Sequence, residues 1–434
     1  MREMKESGID WIGKIPNNWS CKRLKQILVE RNEKNNPIKS ENLLSLSIER
    51  GVFPYSEKTG GGNKAKENFE DYKLAYENDI VLNSMNVVVG AVGLSKYFGC
   101  ISPAYYALYC RNNNYNINYY SNLFQSSAFQ KSLWGLGNGI LVKESDNGKL
   151  NTIRMKIPMD KLNNVILPIP PKEEQEKIAK LLDKKITEID NAIEKTKETI
   201  GDYKKYKQSL ITKIVTKGLE KSNKNRDVFA DNLKELPFDW RYMPLKYFVK
   251  LNANSLSDST DENYKFKYVE IGAVSLSDGI MEYQEYIFKN SPSRARRVVK
   301  EGDIIVSTVR TYLKAIAIIK DAQDVIVSTG FAVLEPMNIN KDYLGWVIKS
   351  DYFTDIVSAK SNGISYPAIN ASDLINIKIP VPSIKEQTQI ANKLNNVCKK
   401  IDKLIYDKEK IIEELEEYKK SLIYEYVTGK KEVV

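Results

Sequence analysis

The sequence predicts an α+β chain: two mixed α/β units in tandem, each followed by one long helix. Three observations lead there. The stretch from Pro168 to Thr216 returns 212 residues later as Pro380 to Thr428, without a gap and with 18 of 49 positions identical. Pro168/Pro380, Gln175/Gln387, Ala179/Ala391, Asp190/Asp402, Tyr206/Tyr418 and Thr216/Thr428 are among the identities, so this is an internal duplication. Both copies place apolar residues in a heptad period. Both are preceded by a unit that opens on the same Pro-and-Trp motif and carries matching strand and helix signals in matching order.

The helices are the clearest elements. With Ala179 at position a, the first copy reads Ala179, Ile186, Ile193, Ile200, Lys207, Ile214 at a and Leu182, Ile189, Thr196, Tyr203, Leu210 at d. The second reads Ala391, Cys398, Ile405, Ile412, Lys419, Tyr426 at a and Leu394, Ile401, Lys408, Leu415, Leu422 at d. A stripe this narrow over five to six heptads is a coiled-coil seam rather than one face of a globular core. Pro171 is expected in the first helical turn, where Glu173 and Glu174 complement the macrodipole, and Ser383 with Glu386 spells a capping box. Gly218 and Gly429 mark the ends. At 1.5 Å per residue each helix is roughly 70 Å long.

The first unit opens on Ile15-Pro16-Asn17-Asn18-Trp19 and the second on Leu236-Pro237-Phe238-Asp239-Trp240. Each continues to a turn followed by a β-branched run, Glu77-Asn78-Asp79-Ile80-Val81-Leu82 and Glu301-Gly302-Asp303-Ile304-Ile305-Val306, which reads as a buried strand. Ser102-Pro103-Ala104-Tyr105 and Ser328-Thr329-Gly330-Phe331 follow, then amphipathic helical segments around 122–133 and 343–357. Each unit closes on Asn-Gly-Ile, at Asn138-Gly139-Ile140 or Asn362-Gly363-Ile364. The run 135–139 reads as a helix stop and turn, and residues 141–156 are extra in the first unit. The expected boundaries are 1–167, 168–220, 221–379 and 380–434, with a polar linker at 220–233 and a stiff Pro-x-Pro exit from each unit into its helix.

Composition narrows the chemistry. A length of 434 residues with 42% hydrophobic content supplies cores for two globular units. The first residues lack the apolar core of a signal peptide and no apolar run approaches a membrane span, so a cytoplasmic chain is expected. Four cysteines stand far apart, without a C-x-x-C pair. With no histidine anywhere, catalysis through imidazole and metal sites that need it are excluded. Neither a phosphate-binding G-x-x-x-x-G-K-[ST] loop nor a methyltransferase Asn-Pro-Pro-aromatic motif is present. The net charge of +10 leaves a polyanion partner and an ordinary solvated surface both open.

What remains is a set of basic and aromatic loops that differ between the units: residues 58–66, with Gly60-Gly61-Gly62, in the first, and Ser293-Arg294-Ala295-Arg296-Arg297 and Val309-Arg310-Thr311-Tyr312-Leu313-Lys314 in the second. Such side chains suit phosphate contact and base-edge readout. For the arginine cluster the plainer reading is a solvated loop. Tyr105 and Tyr106 read as strand core.

The arrangement resembles the specificity subunit of type I restriction–modification systems. The likeness rests on the two P-x-P-x(2–3)-E-Q signatures, Pro168-Ile169-Pro170 with Glu174-Gln175 and Pro380-Val381-Pro382 with Glu386-Gln387, each opening a long helix. The segment Asp79 to Asn86, continuing to Gly99 through Tyr105, and the two Trp-containing openings are also similar to that family. Pro171, in place of a capping residue, and the insertion at 141–156 depart from the pattern. The resemblance implies two target-recognition domains, helices pairing antiparallel with a pseudo-two-fold relation, and a non-catalytic reader of a bipartite, asymmetric duplex DNA site. It implies two methyltransferase subunits and restriction/translocase subunits as partners in a prokaryotic cytoplasm. No cofactor is expected on this chain, while S-adenosylmethionine, ATP and Mg²⁺ are expected on those partners. The candidate DNA contacts are Lys58, Lys64, Lys66, Asn83, Asn86 and Arg154 in the first unit, and Arg294, Arg296, Arg297, Arg310, Tyr312 and Lys314 in the second. A coiled-coil scaffold that binds only proteins, and a carboxylate-dependent nuclease, are the alternatives.

Overall fold

A computed structural model describes residues 2–433 apart from 60–64, 66–67, 141–142, 145–149, 152–153, 220–223 and 231–232. The chain forms two units, Met1–Thr196 with Lys410–Val434, and Lys197–Glu409. Each long helix, Lys172–Lys217 and Ile384–Val427, contributes to both.

The two units are built on the same sheet. In the first, four antiparallel strands lie in the order Leu28–Glu30, Tyr105–Cys110, Ile80–Asn83, Val92–Leu94. In the second the order is Val249–Leu251, Phe331–Pro336, Ile304–Ser307, Ile316–Ile318. The unbroken apolar runs have a simple cause: both faces of each sheet are covered. Ile80 and Leu82 enter the main core while Val81 enters a second cluster with Leu44, Val52 and Ala107. Ile304 and Val306 likewise face away from Ile305, which packs with Ala317, Phe331 and Val333. The turn before each run uses a positive-φ residue, Asn78 (67°) or Gly302 (91°). A buried aspartate follows, Asp79 or Asp303, which accepts from the backbone N–H of Tyr76 at 2.9 Å or Lys300 at 2.8 Å.

Each helical segment is two helices, not one. Ile117–Gln125 stops at Ser126 before Ser127–Ser132, and Lys341–Lys349 stops at Ser350 before Asp351–Lys360. Ser350 accepts from the Phe353 amide, restarting the helix at a new angle. Residues 135–139 are not simply a stop: Trp134–Leu136 is a 3₁₀ turn and Asn138–Ile140 is a strand against Arg154–Lys156. The expected linker at 220–233 holds, in its described part, the strand Asn225–Ala230 paired with Leu233–Pro237. Polar composition misled there, because the backbone ladder and the Arg226 guanidinium on the Trp240 carbonyl (2.6 Å) hold the segment.

The duplicated signature is a hydrogen-bonded hinge. Glu174 accepts from the Trp19 indole at 3.0 Å, and Glu386 from the Trp240 indole at 3.1 Å. Gln175 and Gln387 are fully buried. Gln175 accepts from the Asn116 amide at 2.8 Å and donates to the Pro170 carbonyl at 2.8 Å. Gln387 does the same with Asn340 (2.8 Å) and Pro382 (2.9 Å). Asn116 and Asn340 are themselves N-caps, so one glutamine ties helix, hinge and capped domain helix together. Two local expectations change. Pro171 sits before the first turn, its carbonyl accepting from Gln175, because the helix begins at Lys172. The capping box at Ser383 is half made: Ser383 Oγ accepts from the Glu386 amide (3.3 Å), but the Glu386 carboxylate is engaged by Trp240.

The heptad seam is real in both units. Every a and d position named above is buried or half-buried. In the first unit Ile178, Leu182, Ile189 and Ile193 pack with Leu422, Ile423 and Tyr426, and Lys419 at position a meets Asp190 at 2.6 Å. In the second, Ile211 and Ile214 pack with Ile390, Leu394 and Cys398, and Lys207 meets Asp402 at 2.5 Å. Both pairings are antiparallel, and a shift of 212 residues turns one lysine–aspartate contact into the other. Gly429, at φ 70°, closes the second helix where a Cβ would strike Pro16 at 2.5 Å.

Candidate nucleic-acid interface

In the second unit, segments distant in sequence close into one set of loops. The Thr329 amide donates to Arg294 O at 2.8 Å, and the Thr308 amide to Gly330 O at 2.8 Å. The Ile369 amide donates to Thr308 O at 2.9 Å, and the Thr311 amide to Pro367 O at 3.3 Å. Thr311 Oγ1 adds a 2.8 Å bond to Ser361 Oγ. The loops leaving strands Ile304–Ser307 and Val325–Ser328 thereby join the segment 361–369, and backbone amides rather than flexible side chains fix them.

This set carries Arg294, Arg310, Tyr312 and Lys314, but not as equals. Arg294 is exposed. Arg310 is exposed, its guanidinium 5.0 Å from the centre of the Tyr366 ring. Neither has an acidic partner among the described residues. Tyr312 is 58% exposed. Lys314 instead faces Asp351 (3.5 Å) and Asp355 (3.4 Å), which offset its charge. Arg310 and Lys314 bracket a one-turn 3₁₀ segment, Thr311–Leu313, with φ of 52° and 46°. The left-handed region costs a residue with a Cβ roughly 1–2 kcal/mol. The arginine cluster at 294–297 is not a solvated loop. Ala295–Val298 is a strand against Val325–Ser328, Ala295 is buried, and Arg296 lies 4.8 Å from the Phe288 ring. Arg297 is half-buried, its Nε without a hydrogen-bond partner.

In the first unit the corresponding bonds run from Ser84, whose Oγ donates to Ala104 O at 2.7 Å and whose carbonyl accepts from Ile157 at 2.9 Å. They bring the Asn83–Asn86 turn to the end of the strand holding Arg154. Asn83 closes that turn by accepting from the Met85 amide at 3.0 Å, and Asn86, half-buried, precedes the 3₁₀ segment Val87–Val89. Lys58 follows the strand Gly51–Pro54 and the 3₁₀ turn Tyr55–Glu57, and lies 5.1 Å from the Tyr55 ring. Lys64 and Lys66 lie outside the described residues.

Two residues of the second loop set escaped sequence reasoning. Ile364, in the closing Asn-Gly-Ile motif, and Tyr366, two residues on, are 104% and 65% exposed. The available signal was an apolar and an aromatic residue beside Gly363 and Pro367, where a buried strand should not run.

The family model of the type I restriction modification DNA specificity domain matches residues 16–200 and again 237–417. Among curated relatives, the type I restriction enzyme MjaVIII specificity subunit of Methanocaldococcus jannaschii is 30% identical over 278 residues, covering 62% of each chain. The chain thus spans under two thirds of that relative's length. The putative MjaX specificity subunit of the same organism is 28% identical over 441 residues, covering 96% of this chain and 95% of that one. Two solved structures share the fold at 16% identity. One, from work on complex assembly and conformational transition of the type I R-M system, has a TM-score of 0.68 and covers 95% of this chain and 98% of its own. The HsdS subunit from Thermoanaerobacter tengcongensis has a TM-score of 0.51, with 96% and 98% covered.

Proposed function

Since the chain belongs to the family of type I restriction–modification DNA specificity subunits, which are recognition rather than catalytic components, we propose that it reads a bipartite duplex DNA site, one half with each unit. The observation that carries this is the loop set of the second unit, where amide hydrogen bonds link the loops bearing Arg294, Arg310 and Tyr312, and neither arginine has an acidic partner among the described residues. Guanidinium groups so placed suit phosphate contact or bidentate pairing with guanine. The first unit carries different residues, Asn83 and Asn86 in a turn and Arg154 in a strand beside it, which suits an asymmetric site. Arg296, Arg297 and Lys314 have weaker claims to base contact, the first two lying in a strand and the third paired with acidic residues, while electrostatic attraction is the role that fits Lys58, Lys64 and Lys66.

In this reading two methyltransferase subunits and restriction/translocase subunits assemble on the chain in the cytoplasm. S-adenosylmethionine, ATP and Mg²⁺ act on those partners. Among the described residues no helix is long and apolar enough to cross a membrane, and no cluster of metal-ligating side chains is present.

The test is binding of the chain, with the subunits that co-purify, to its cognate duplex over a range of salt. Phosphate contacts release counterions, so log K should fall linearly with log salt concentration. Arg310→Ala should lose about 1–3 kcal/mol of discrimination at one base pair if it grips guanine. A uniform loss with a shallower salt slope would assign it to phosphate. Salt-independent binding, or none, would favour a scaffold that binds proteins alone.

A further inference from the structure

Ile364 is the most exposed large apolar side chain among the described residues. Single exposed apolar residues are common and need no explanation. This one differs because the backbone holds it out. Asn362 and Ala368 exchange two backbone hydrogen bonds of 2.9 Å, closing the loop at its base. Gly363 turns the chain at φ 110°, with space so tight that a Cβ would come 3.1 Å from the Tyr366 carbonyl. The loop is fastened from the side by the Thr311 amide on Pro367 O and by Thr311 Oγ1 on Ser361 Oγ. Its tip is slender, since Gly363 and Ser365 flank the isoleucine.

The surroundings indicate what the tip meets. Tyr366 stands beside it with the Arg310 guanidinium over its ring, and Tyr312 and Leu313, 58% and 42% exposed, project from the loop fastened to it. An apolar point framed by aromatic rings and a cation with no acidic partner among the described residues matches a nucleic-acid duplex, with apolar base faces inside and phosphates outside. In the first unit the equivalent Ile140 lies in a strand paired to Arg154, so its backbone is committed to a ladder and no such tip forms.

We propose that Ile364 is a wedge that enters between two adjacent base pairs of the half-site read by the second unit, with Arg310 and Tyr366 holding the flanking sugar–phosphate. This rests on the DNA-reading assignment above and deepens it. A side chain driven into the stack partly unstacks one step and kinks the duplex. The ease of deforming that step then becomes part of what is recognised, favouring pyrimidine–purine steps at a position where no base edge is touched.

The experiment uses the full chain with its co-purifying subunits and its cognate duplex, identified by mapping methylated bases. Adenines of both halves are replaced one at a time by 2-aminopurine, whose fluorescence rises when it is unstacked. The wild-type chain should raise fluorescence severalfold at one step of the half read by the second unit. Ile364→Ser should abolish that rise and weaken binding by roughly tenfold or more, the loss expected when an aliphatic side chain is no longer buried. Its thermal unfolding and salt slope should stay as wild type, and Ile364→Leu should retain the fluorescence rise. Unchanged binding and fluorescence in Ile364→Ser would overturn the wedge. So would a silent 2-aminopurine series combined with equal weakening when a thymine is replaced by uracil, which would reveal a methyl contact instead. A wild-type chain that fails to bind the duplex at all would overturn the DNA-reading assignment together with the wedge.

Discussion

Replacing Gln387 by Ala would strip the Asn340 amide of its acceptor and the Pro382 carbonyl of its donor, the second of these bonds buried and the first partly so. Such buried orphans cost about 1–3 kcal/mol each to leave unmet, so denaturant unfolding should show at least that loss. Gln175→Ala should cost the same in the first unit, and a neutral result at either position would contradict the hinge. Lys349 behaves in the opposite way. Burial, then the like charges of Lys207 and Lys320, lowers its pKa to about 8, with Asp402 and Asp278 opposing. The unfolded chain keeps that proton up to roughly pH 10.4, so the charge opposes folding below pH 8 and the penalty fades between 8 and 10.4. Lys349→Met should therefore stabilise the fold at pH 7 by about 1–2 kcal/mol, with the gain shrinking from pH 8 and gone near pH 10.4. Urea unfolding at both pH values checks this, and a less stable variant at pH 7 would sink it. Neither residue's role was legible in full: the repeat marked Gln175 and Gln387 as a pair, but the amides they accept from, Asn116 and Asn340, lie 59 and 47 residues away. Lys349 looks like any solvated lysine at the end of a helix.

At the scale of elements, the heptads were readable because a 3.5-residue period needs no tertiary knowledge, and every a and d residue is at least half-buried. The two covered sheets were readable from Ile80-Val81-Leu82 and Ile304-Ile305-Val306 for the same reason. The breaks at Ser126 and Ser350 were not, since a serine within an amphipathic period costs little and its capping role appears only when the chain turns. The loops were read least well. Arg296 and Arg297 look solvated in sequence, but Arg297 pairs with a strand 30 residues away and the Arg296 carbonyl accepts from the Leu256 amide. Ile364 looked like punctuation because the closure at Asn362 and Ala368 is visible only in three dimensions. The seam itself is testable. Ile193→Asp with Ile405→Asp buries one carboxylate in the helix pairing of each unit and should destabilise the chain by several kcal/mol. Unchanged thermal unfolding would mean that the helices do not pair through these faces.

At the scale of the whole molecule, one duplication supplies two kinds of part. The hinge, with Trp19, Glu174 and Gln175 matched by Trp240, Glu386 and Gln387, is kept almost atom for atom. So is the seam, where Lys419–Asp190 and Lys207–Asp402 are one contact made twice. The loops beyond the sheet ends are not kept, and they carry the cationic and aromatic residues. A constant frame with divergent loops is what independent readout of two unlike half-sites requires. The most direct measurement exchanges residues 234–380 for the corresponding domain of another such subunit and maps the methylated bases in DNA from cells carrying the complex. Independent readout predicts that one half of the methylated sequence changes while the other stays as it was. If both halves changed together, the two units would not read separately.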